Sequence, residues 1–261
     1  MTGRVVVTGF HRSGTSATAR LLHRAGVHLG DELVGARRSN PFGHFEDRRI
    51  VDFHDGVLDR MGLDWHVEEA IEPTVSEDDR GWMEAHAAAN DGRHRVWGFK
   101  DPRACFFLDA WRAVLEDVVV VGVFRDPVSA VRSLHRREAR RLRSSRRDEA
   151  SHRRFFVEPG LGVRMWLASN RSLLAFVQAH PERSILVSFE ALGRGEPLTR
   201  VLRDRFDLPI EPVPTHDAIE PHHSVPRIAS LSGAGDLVDE ARSLHDDLVT
   251  MATPALGVGR V

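Results

Sequence analysis

The sequence predicts a doubly wound α/β fold, in which a mostly parallel sheet carries helices on both faces. Strand-like and helix-like segments alternate along the chain, as such a fold requires. One predicted strand, Val118 to Phe124, is apolar almost without interruption, which indicates a strand buried on both faces. With 41% apolar and 28% charged residues, the 261 positions are expected to form one globular domain spanning 1–261.

The first strand leads through a glycine loop into a helix. Val5 to Thr8 is a short β-branched run, and apolar residues recur at helical spacing from Ala17 to Ala25. The loop Gly9 to Gly14 lies between them. We therefore expect strand, loop and helix in that order, with Gly26 ending the helix.

Later segments continue the alternation. Helices are expected over 47–61, from the capping pair Ser76 and Asp79 to about Ala89, through Leu108 to Leu115, from Pro127, from Val163 to Val177, and near 197–206 and 236–251. The remaining strands are expected at Arg95 to Phe99, Val118 to Phe124 and Ile185 to Phe189. The polar segment Arg143 to His152 is expected to form a loop or a helical flap inside the domain.

Composition argues against several classes of protein. The chain has 36 Lys and Arg against 38 Asp and Glu, a formal charge of −2, which argues against a general nucleic-acid or membrane-surface binder. A single cysteine, Cys105, excludes an intramolecular disulfide and a cysteine-based zinc site. The histidines lack ligand spacing, so we expect no metal. The longest apolar run is far too short to span a membrane, and we expect a cytoplasmic protein.

The glycine loop is similar to a phosphate-binding loop. It reads Gly9-Phe10-His11-Arg12-Ser13-Gly14-Thr15-Ser16, with Thr15 where the lysine of a nucleotide triphosphate-binding loop would stand. Backbone amides and the positive end of the following helix suit a phosphate group. Without that lysine, the loop favours a phosphate over a triphosphate. The alternative is an ordinary strand-to-helix turn.

Two further strand ends carry cations. Arg125 follows the apolar strand, and Ser133 is expected near the second turn of the next helix, so both can reach the ligand-binding edge of the sheet. The alternative is an Arg125 to Asp126 salt bridge beside an uninvolved serine. Lys100 is the only lysine in the chain and ends another strand, where it meets a ligand anion or is a surface charge.

Taken together, these motifs resemble the sulfotransferases that use 3′-phosphoadenosine 5′-phosphosulfate (PAPS). The resemblance is well marked from Val5 to Ser133 and includes two further stretches, Lys100-Asp101-Pro102-Arg103 and Asn40-Pro41-Phe42-Gly43-His44-Phe45-Glu46. These two stretches are similar to bacterial members of the family and, more distantly, to carbohydrate and tyrosylprotein sulfotransferases. The glycine-rich C-terminal cofactor loop of the cytosolic branch is not recognisable, so the adenine contacts are not carried over.

The resemblance implies a P-loop NTPase-like sulfotransferase architecture and a set of site residues. His11, Arg12, Ser13, Gly14, Thr15 and Ser16 would hold the 5′-phosphosulfate, and Arg125 with Ser133 would hold the 3′-phosphate. Arg12 and Lys100 would stabilise charge on the leaving oxygen. Glu46 would take the acceptor proton, with His44 and His11 as reserve candidates. The alternative for Glu46 is a charge that favours the dipole of the helix starting near Asp47.

The predicted function is metal-independent, in-line sulfonate transfer from PAPS to a hydroxyl or amine of a small molecule or glycan, leaving 3′-phosphoadenosine 5′-phosphate (PAP). A nucleotide-dependent phosphotransferase with a degenerate phosphate loop stays open as an alternative. So does a non-catalytic module that binds nucleotide or polyanion through the arginine run from Arg132 to Arg147. In the enzyme, that run either faces an anionic acceptor such as a glycan or is a solvated helix and loop. Trp65 and Trp82 either line an acceptor pocket or pack in the core.

Overall fold

The protein is built on a four-stranded, entirely parallel sheet, in which the second strand of the chain lies at one edge and is followed across the sheet by the first, the third and the fourth. The structure is a computed structural model, and it describes residues 2–35, 43–144, 149–219 and 235–252. The strands are β1 (Gly3–Thr8), β2 (Val96–Lys100), β3 (Val119–Phe124) and β4 (Ser184–Ser188).

The helices lie between the strands and after them. They are α1 (Thr15–Arg24), α2 (Arg48–Arg60), α3 (Glu77–Asp91), α4 (Leu108–Val114), α5 (Pro127–Ser144), α6 (Glu149–Val157), α7 (Leu161–Ala179), α8 (Phe189–Gly193), α9 (Leu198–Phe206) and α10 (Gly235–Ala252). Short 3₁₀ helices occupy Pro102–Phe106 and Thr215–Asp217.

The sheet separates two hydrophobic clusters. Within β1, Val6 belongs to one cluster, whereas Val5 and Val7 belong to the other, because successive side chains of a strand point to opposite faces. Helices α2, α3, α4, α5, α7 and α10 contribute to the first cluster, and α1, α8 and α9 contribute to the second. Helices therefore cover both faces, and the predicted doubly wound α/β class is confirmed.

The strand order creates a ligand-binding position at the C-terminal edge of the sheet. From β1 the chain crosses to β2 on one side, and later enters β3 on the other side. Loops that follow the adjacent strands β1 and β3 diverge at such a switch point, which leaves a crevice for ligands. The loops in question are 9–14 and 125–126, which carry two of the predicted phosphate contacts.

Most predicted elements are found, with two local differences. The last strand ends at Ser188 rather than at Phe189, because the Ser188 hydroxyl accepts a hydrogen bond from the Ala191 amide (3.0 Å) and so caps α8. The polar segment 143–152 is helical at both ends, in α5 and α6, so a loop throughout is wrong; Arg146 and Arg147 lie outside the described residues. The predicted capping box at Ser76 and Asp79 is present.

Two global expectations can be compared with the described residues. None of the helices there is long and apolar enough to cross a membrane. Cys105 is buried, and burial raises the pKa of its thiol to about 12, so this thiol stays protonated at neutral pH.

Candidate functional site

The loop after β1 is shaped by glycine. Gly9 and Gly14 have φ angles of 141° and 97°, in the region that favours glycine. A Cβ atom would collide with the carbonyl oxygen of Val123 at Gly9, and with the Phe189 ring at Gly14. The loop is thus pressed against β3 on one side and α8 on the other, which fixes its backbone. Arg12 also takes a left-handed conformation, with φ of 68°.

The N-terminus of α1 offers hydrogen-bond donors to an anion. Gly14 is the N-cap, so the amides of Gly14, Thr15 and Ser16 have no carbonyl partner within the helix. The described residues of this first turn include no acidic side chain and no side-chain cap. The Ser13 hydroxyl is fully buried and makes no hydrogen bond to the described residues. These groups have the geometry and unused hydrogen-bonding capacity of a phosphate site.

The two predicted phosphate contacts meet at Arg12. Its Nε donates to Ser133 Oγ (3.1 Å), and Arg125 donates from a terminal nitrogen to the Arg12 carbonyl oxygen (3.3 Å). Arg125 also lies over the Phe189 ring, 5.0 Å from its centroid. Asp126 is not its salt-bridge partner, because the Asp126 carboxylate accepts from the Ser129 amide and caps α5. The structure therefore brings Arg12, Arg125 and Ser133 together.

Positive charge accumulates around this group. Burial first, and then the neighbouring guanidinium groups of Arg137, Arg125, Arg140 and Arg136, lower the pKa of Arg12 to about 10. Burial likewise lowers the pKa of Arg125, whose nearest described carboxylate, Glu190, is 3.9 Å from its Nε. Cations that repel one another in a partly buried site favour an anionic ligand.

Lys100 and Glu46 form an ion pair at the edge of the same site, in which the lysine is buried and the glutamate is partly exposed. Lys100 ends β2 and is 1% exposed, and its Nζ lies 2.5 Å from Glu46 Oε1. Lys100 is therefore not a surface charge. Glu46 precedes Asp47, which is itself the N-cap of α2, so the carboxylate that caps this helix is not that of Glu46. Two of the three predicted catalytic residues, Lys100 and Glu46, are therefore in direct contact.

A buried network holds the segment after Lys100. Asp101 accepts from His54 Nδ1 (3.0 Å) and from the Arg103 amide and Nε (2.9 and 3.2 Å). Trp111 Nε1 can only donate and lies 2.9 Å from His54 Nε2, so His54 is neutral with its proton on Nδ1. Burial works to raise the pKa of Asp101, yet Arg103 and His54 hold it well below its usual value. Asp101 therefore stays ionised at neutral pH, and its carboxylate orients Arg103.

His11 connects the loop to Trp65, which lies in the segment between α2 and α3. Its ring meets the Trp65 ring edge to face at 5.1 Å, and the Arg137 guanidinium lies 5.2 Å from the Trp65 centroid. Burial, followed by the charges of Arg137, Arg103 and Lys100, lowers the pKa of His11 well below 6.5. His11 is therefore neutral at pH 7, and its surroundings disfavour the protonated form.

The structure distinguishes the remaining candidate residues. His44 lies near Glu46 in the chain, and its backbone amide donates to the Val34 carbonyl oxygen. Of these two candidate bases, Glu46 is the one that Lys100 contacts. Trp82 stacks on Phe53 at 4.6 Å within the core, whereas Trp65 lies next to His11. Of the stretch 40–46, the positions Asn40, Pro41 and Phe42 lie outside the described residues.

Sequence reasoning did not single out Arg137. It left the arginine run as a whole either anion-binding or solvated, although Val131, Leu134 and Glu138 are buried and lie at helical spacing around this position. A helical-wheel projection of α5 from Val131 would have identified the inward face.

One histidine cluster lies apart from this site. His28, Asp31 and His94 place one possible ligand atom each within 4.8 Å of one another. The two imidazoles stack at 3.7 Å, nearly parallel, and His28 Nε2 lies 3.2 Å from an Asp31 carboxylate oxygen. Asp31 also pairs with Arg93 at 3.0 Å. The arrangement is explained by stacking and an ion pair.

The chain is similar to known proteins in sequence and in structure. The sequence profile of the sulfotransferase family matches residues 4–212. Solved structures similar to the chain include the sulfotransferase STF1 from Mycobacterium tuberculosis H37Rv, at 18% identity and a TM-score of 0.46, with 98% of this chain and 77% of that one covered. They also include STF9 from Mycobacterium avium, at 15% identity and a TM-score of 0.48, with 95% and 76% covered. A search of curated proteins found no match. Because the family profile spans most of the chain, including the loop, Lys100, Arg125 and Ser133, the protein belongs to the sulfotransferase family.

Proposed function

We propose that the protein transfers a sulfonate group from PAPS to an acceptor hydroxyl. The observation that carries this proposal is the convergence of Arg12, Arg125 and Ser133 beside the amides of the α1 N-terminus. Two anion-binding elements in contact suit a ligand with two separate phosphate groups better than a linear triphosphate.

The residues present fit such a ligand. Ser13 Oγ and Arg125 Nε are buried and make no hydrogen bond to the described residues, so both have capacity for phosphate oxygens. The loop amides with Ser13 would hold the 5′-phosphosulfate, and Arg125 with Ser133 would hold the 3′-phosphate. The bound sulfonate donor would supply the group to be transferred and leave as the bisphosphate PAP.

The roles of the charged residues follow from their positions. Arg12 and Lys100 would stabilise negative charge on the leaving oxygen, because cations fixed in a buried site act more strongly than cations in water. Glu46 would accept the proton of the acceptor hydroxyl, since it is 17% exposed and therefore reachable. In the structure Lys100 and Glu46 neutralise each other, which keeps both charges in the site before ligands bind.

Ligand-dependent thermal stability tests the proposal. We expect PAP to raise the melting temperature by a few degrees at about 100 times its dissociation constant, where linkage contributes about 2.7 kcal/mol. ATP with magnesium is expected to have a smaller effect. An equal effect of ATP with magnesium would favour a phosphotransferase instead, and binding of PAPS without turnover on any acceptor would favour a non-catalytic module.

A further inference from the structure

Arg137 differs from the other arginines of α5 in its burial. Its side chain is only 10% exposed, whereas Arg136 and Arg140 are exposed. A guanidinium group is costly to bury without partners, so its surroundings indicate what its charge is used for.

The protein compensates the Arg137 charge incompletely. Its Nε donates to Glu138, a fully buried carboxylate, but Glu138 also lies 2.7 Å from His152 Nδ1 and 3.9 Å from Arg141. One carboxylate thus faces two guanidinium groups and an imidazole. Within the described part of the chain, the terminal nitrogens of Arg137 make no hydrogen bond.

Arg137 also faces the reacting centre. It lies over Trp65, whose ring contacts His11 in the phosphate loop. Its charge makes the largest Coulombic contribution to the lowered pKa values of both His11 and Arg12, and the Glu46 carboxylate acts on Arg137 in turn. Arg137 therefore lies on the Trp65 side of the candidate site, one ring away from His11.

We propose that Arg137 binds an anionic group of the acceptor, so that the acceptor is a hydroxyl compound bearing a carboxylate or a phosphate or sulfate ester. This inference rests on the proposed sulfonate transfer. The two phosphates of the sulfonate donor are already matched by the loop, Arg125 and Ser133. A planar guanidinium held at Nε and stacked on an indole presents its remaining N–H groups in a fixed fork, which suits an oxyanion.

Matched acceptors that differ in charge test the inference. The probes are 4-nitrophenyl β-D-glucuronide against the glucoside, 4-hydroxyphenylacetate against 4-hydroxyphenylacetamide, and glycerol 3-phosphate against glycerol. Sulfonate transfer from labelled PAPS is measured as kcat/KM with wild-type protein and with Arg137→Gln, Arg137→Lys and, as a matched control on the exposed end of α5, Arg143→Gln.

We expect the wild-type protein to prefer the charged member of each accepted pair by about 10-fold or more. Arg137→Gln should reduce this preference to within about 2-fold. Arg137→Lys should keep only part of it, because an ammonium group has the charge but not the planar fork, and Arg143→Gln should retain it in full. PAP affinity should stay within about threefold in all variants.

Several outcomes would overturn the inference. They are equal use of charged and neutral acceptors by the wild-type protein, use of the neutral members alone, a preference that survives in Arg137→Gln, or an equal loss on both members of a pair. Failure of the proposed function is seen separately, because wild-type protein would then either not bind PAP or bind it and transfer sulfonate to no acceptor, charged or neutral. If Arg137→Gln does not fold, Arg137→Lys is the deciding variant, and an undiminished preference for the charged acceptors in that variant would contradict the inference.

Discussion

The two sides of the candidate site differ in how closely their arginines are paired with carboxylates. On the loop side, Arg12 and Arg125 are partly buried, and the nearest described carboxylate to Arg125 is 3.9 Å away. On the helix side, Arg103 contacts Asp101 and Asp55 at 3.2 and 3.3 Å, and Arg137 contacts Glu138. Cations without a close carboxylate favour strong binding of a polyanion, whereas cations that are wholly or partly paired with a carboxylate contribute orientation and selectivity.

The Lys100 to Glu46 pair joins the two sides. Lys100 comes from β2 and is directed to the leaving group in the proposed mechanism, whereas Glu46 precedes α2 and is directed to the acceptor. Breaking this pair therefore has consequences for both sides, and it gives the largest effects expected here.

Glu46→Gln is expected to lower single-turnover rates by roughly 100- to 10,000-fold, because glutamine cannot accept the acceptor proton. PAP affinity should change by no more than about threefold. The exposed Glu72→Gln is the matched control. Since the neutral amide would leave Lys100 buried without a charged partner, stability should also fall, by about 1–3 kcal/mol. An active Glu46→Gln enzyme would direct the search for the base to His11 or His44.

Lys100→Met is expected to lower turnover by on the order of 100-fold or more at saturating PAPS, comparable to the loss of one oxyanion donor. Methionine keeps the length and apolar stem of the side chain. A loss of stability accompanies it, since Glu46 becomes unpaired. The double variant with Glu46→Gln should be more stable than the sum of the single losses predicts, which denaturant unfolding measures. Additive losses would show that the ion pair does not stabilise the fold.

Arg125→Ala sharpens the comparison on the loop side. We expect PAP affinity to fall by about 10- to 100-fold, the loss of one or two charge-assisted hydrogen bonds. Adenosine 5′-phosphosulfate, which lacks the 3′-phosphate, should bind nearly as it does to the wild-type protein. Isothermal titration of both ligands measures this, with the exposed Arg194→Ala as control. Equal losses for both ligands would make Arg125 a structural residue.

The smallest expected effect concerns pH. His11 has a pKa below its ordinary value in the folded state, so on acidification the unfolded chain takes up this proton first. Its contribution to stability is present above about pH 6.5 and is lost as the pH falls below that value. His11→Asn should reduce the decline in unfolding free energy between pH 7.5 and 5.5 by on the order of 1 kcal/mol. The exposed His216→Asn should leave the decline unchanged; an identical slope in His11→Asn would contradict the assignment.

The loop side was predictable from sequence because its parts are local. Glycine at positions 9 and 14 specifies a backbone shape, and the helix that follows supplies its amides whatever tertiary contacts form. Strands β1 and β3 were recognisable from their apolar runs, and the ends of such strands meet at one edge of a parallel sheet. The approach of Arg125 to Arg12 follows from that topology.

The helix side could not be predicted, because its contacts join residues far apart in the chain. Trp65 and Trp82 look alike in sequence, yet one lies beside His11 and the other stacks on Phe53. The contact between Lys100 and Glu46 spans 54 positions. No local periodicity encodes such distances, since they depend on how whole helices pack against the sheet.

By itself, then, the sequence determined the α/β class, the order of the main elements, and the glycine loop, and it predicted that Arg12, Arg125 and Ser133 lie at one edge of the sheet. Tertiary structure alone decided that Lys100 is buried against Glu46, that Asp101 is locked to His54 and Arg103, and that Arg137 turns inward. The physical reason is that backbone geometry and strand polarity are local properties. The burial of a charge and the identity of its partner depend on contacts that exist only after the layers have packed.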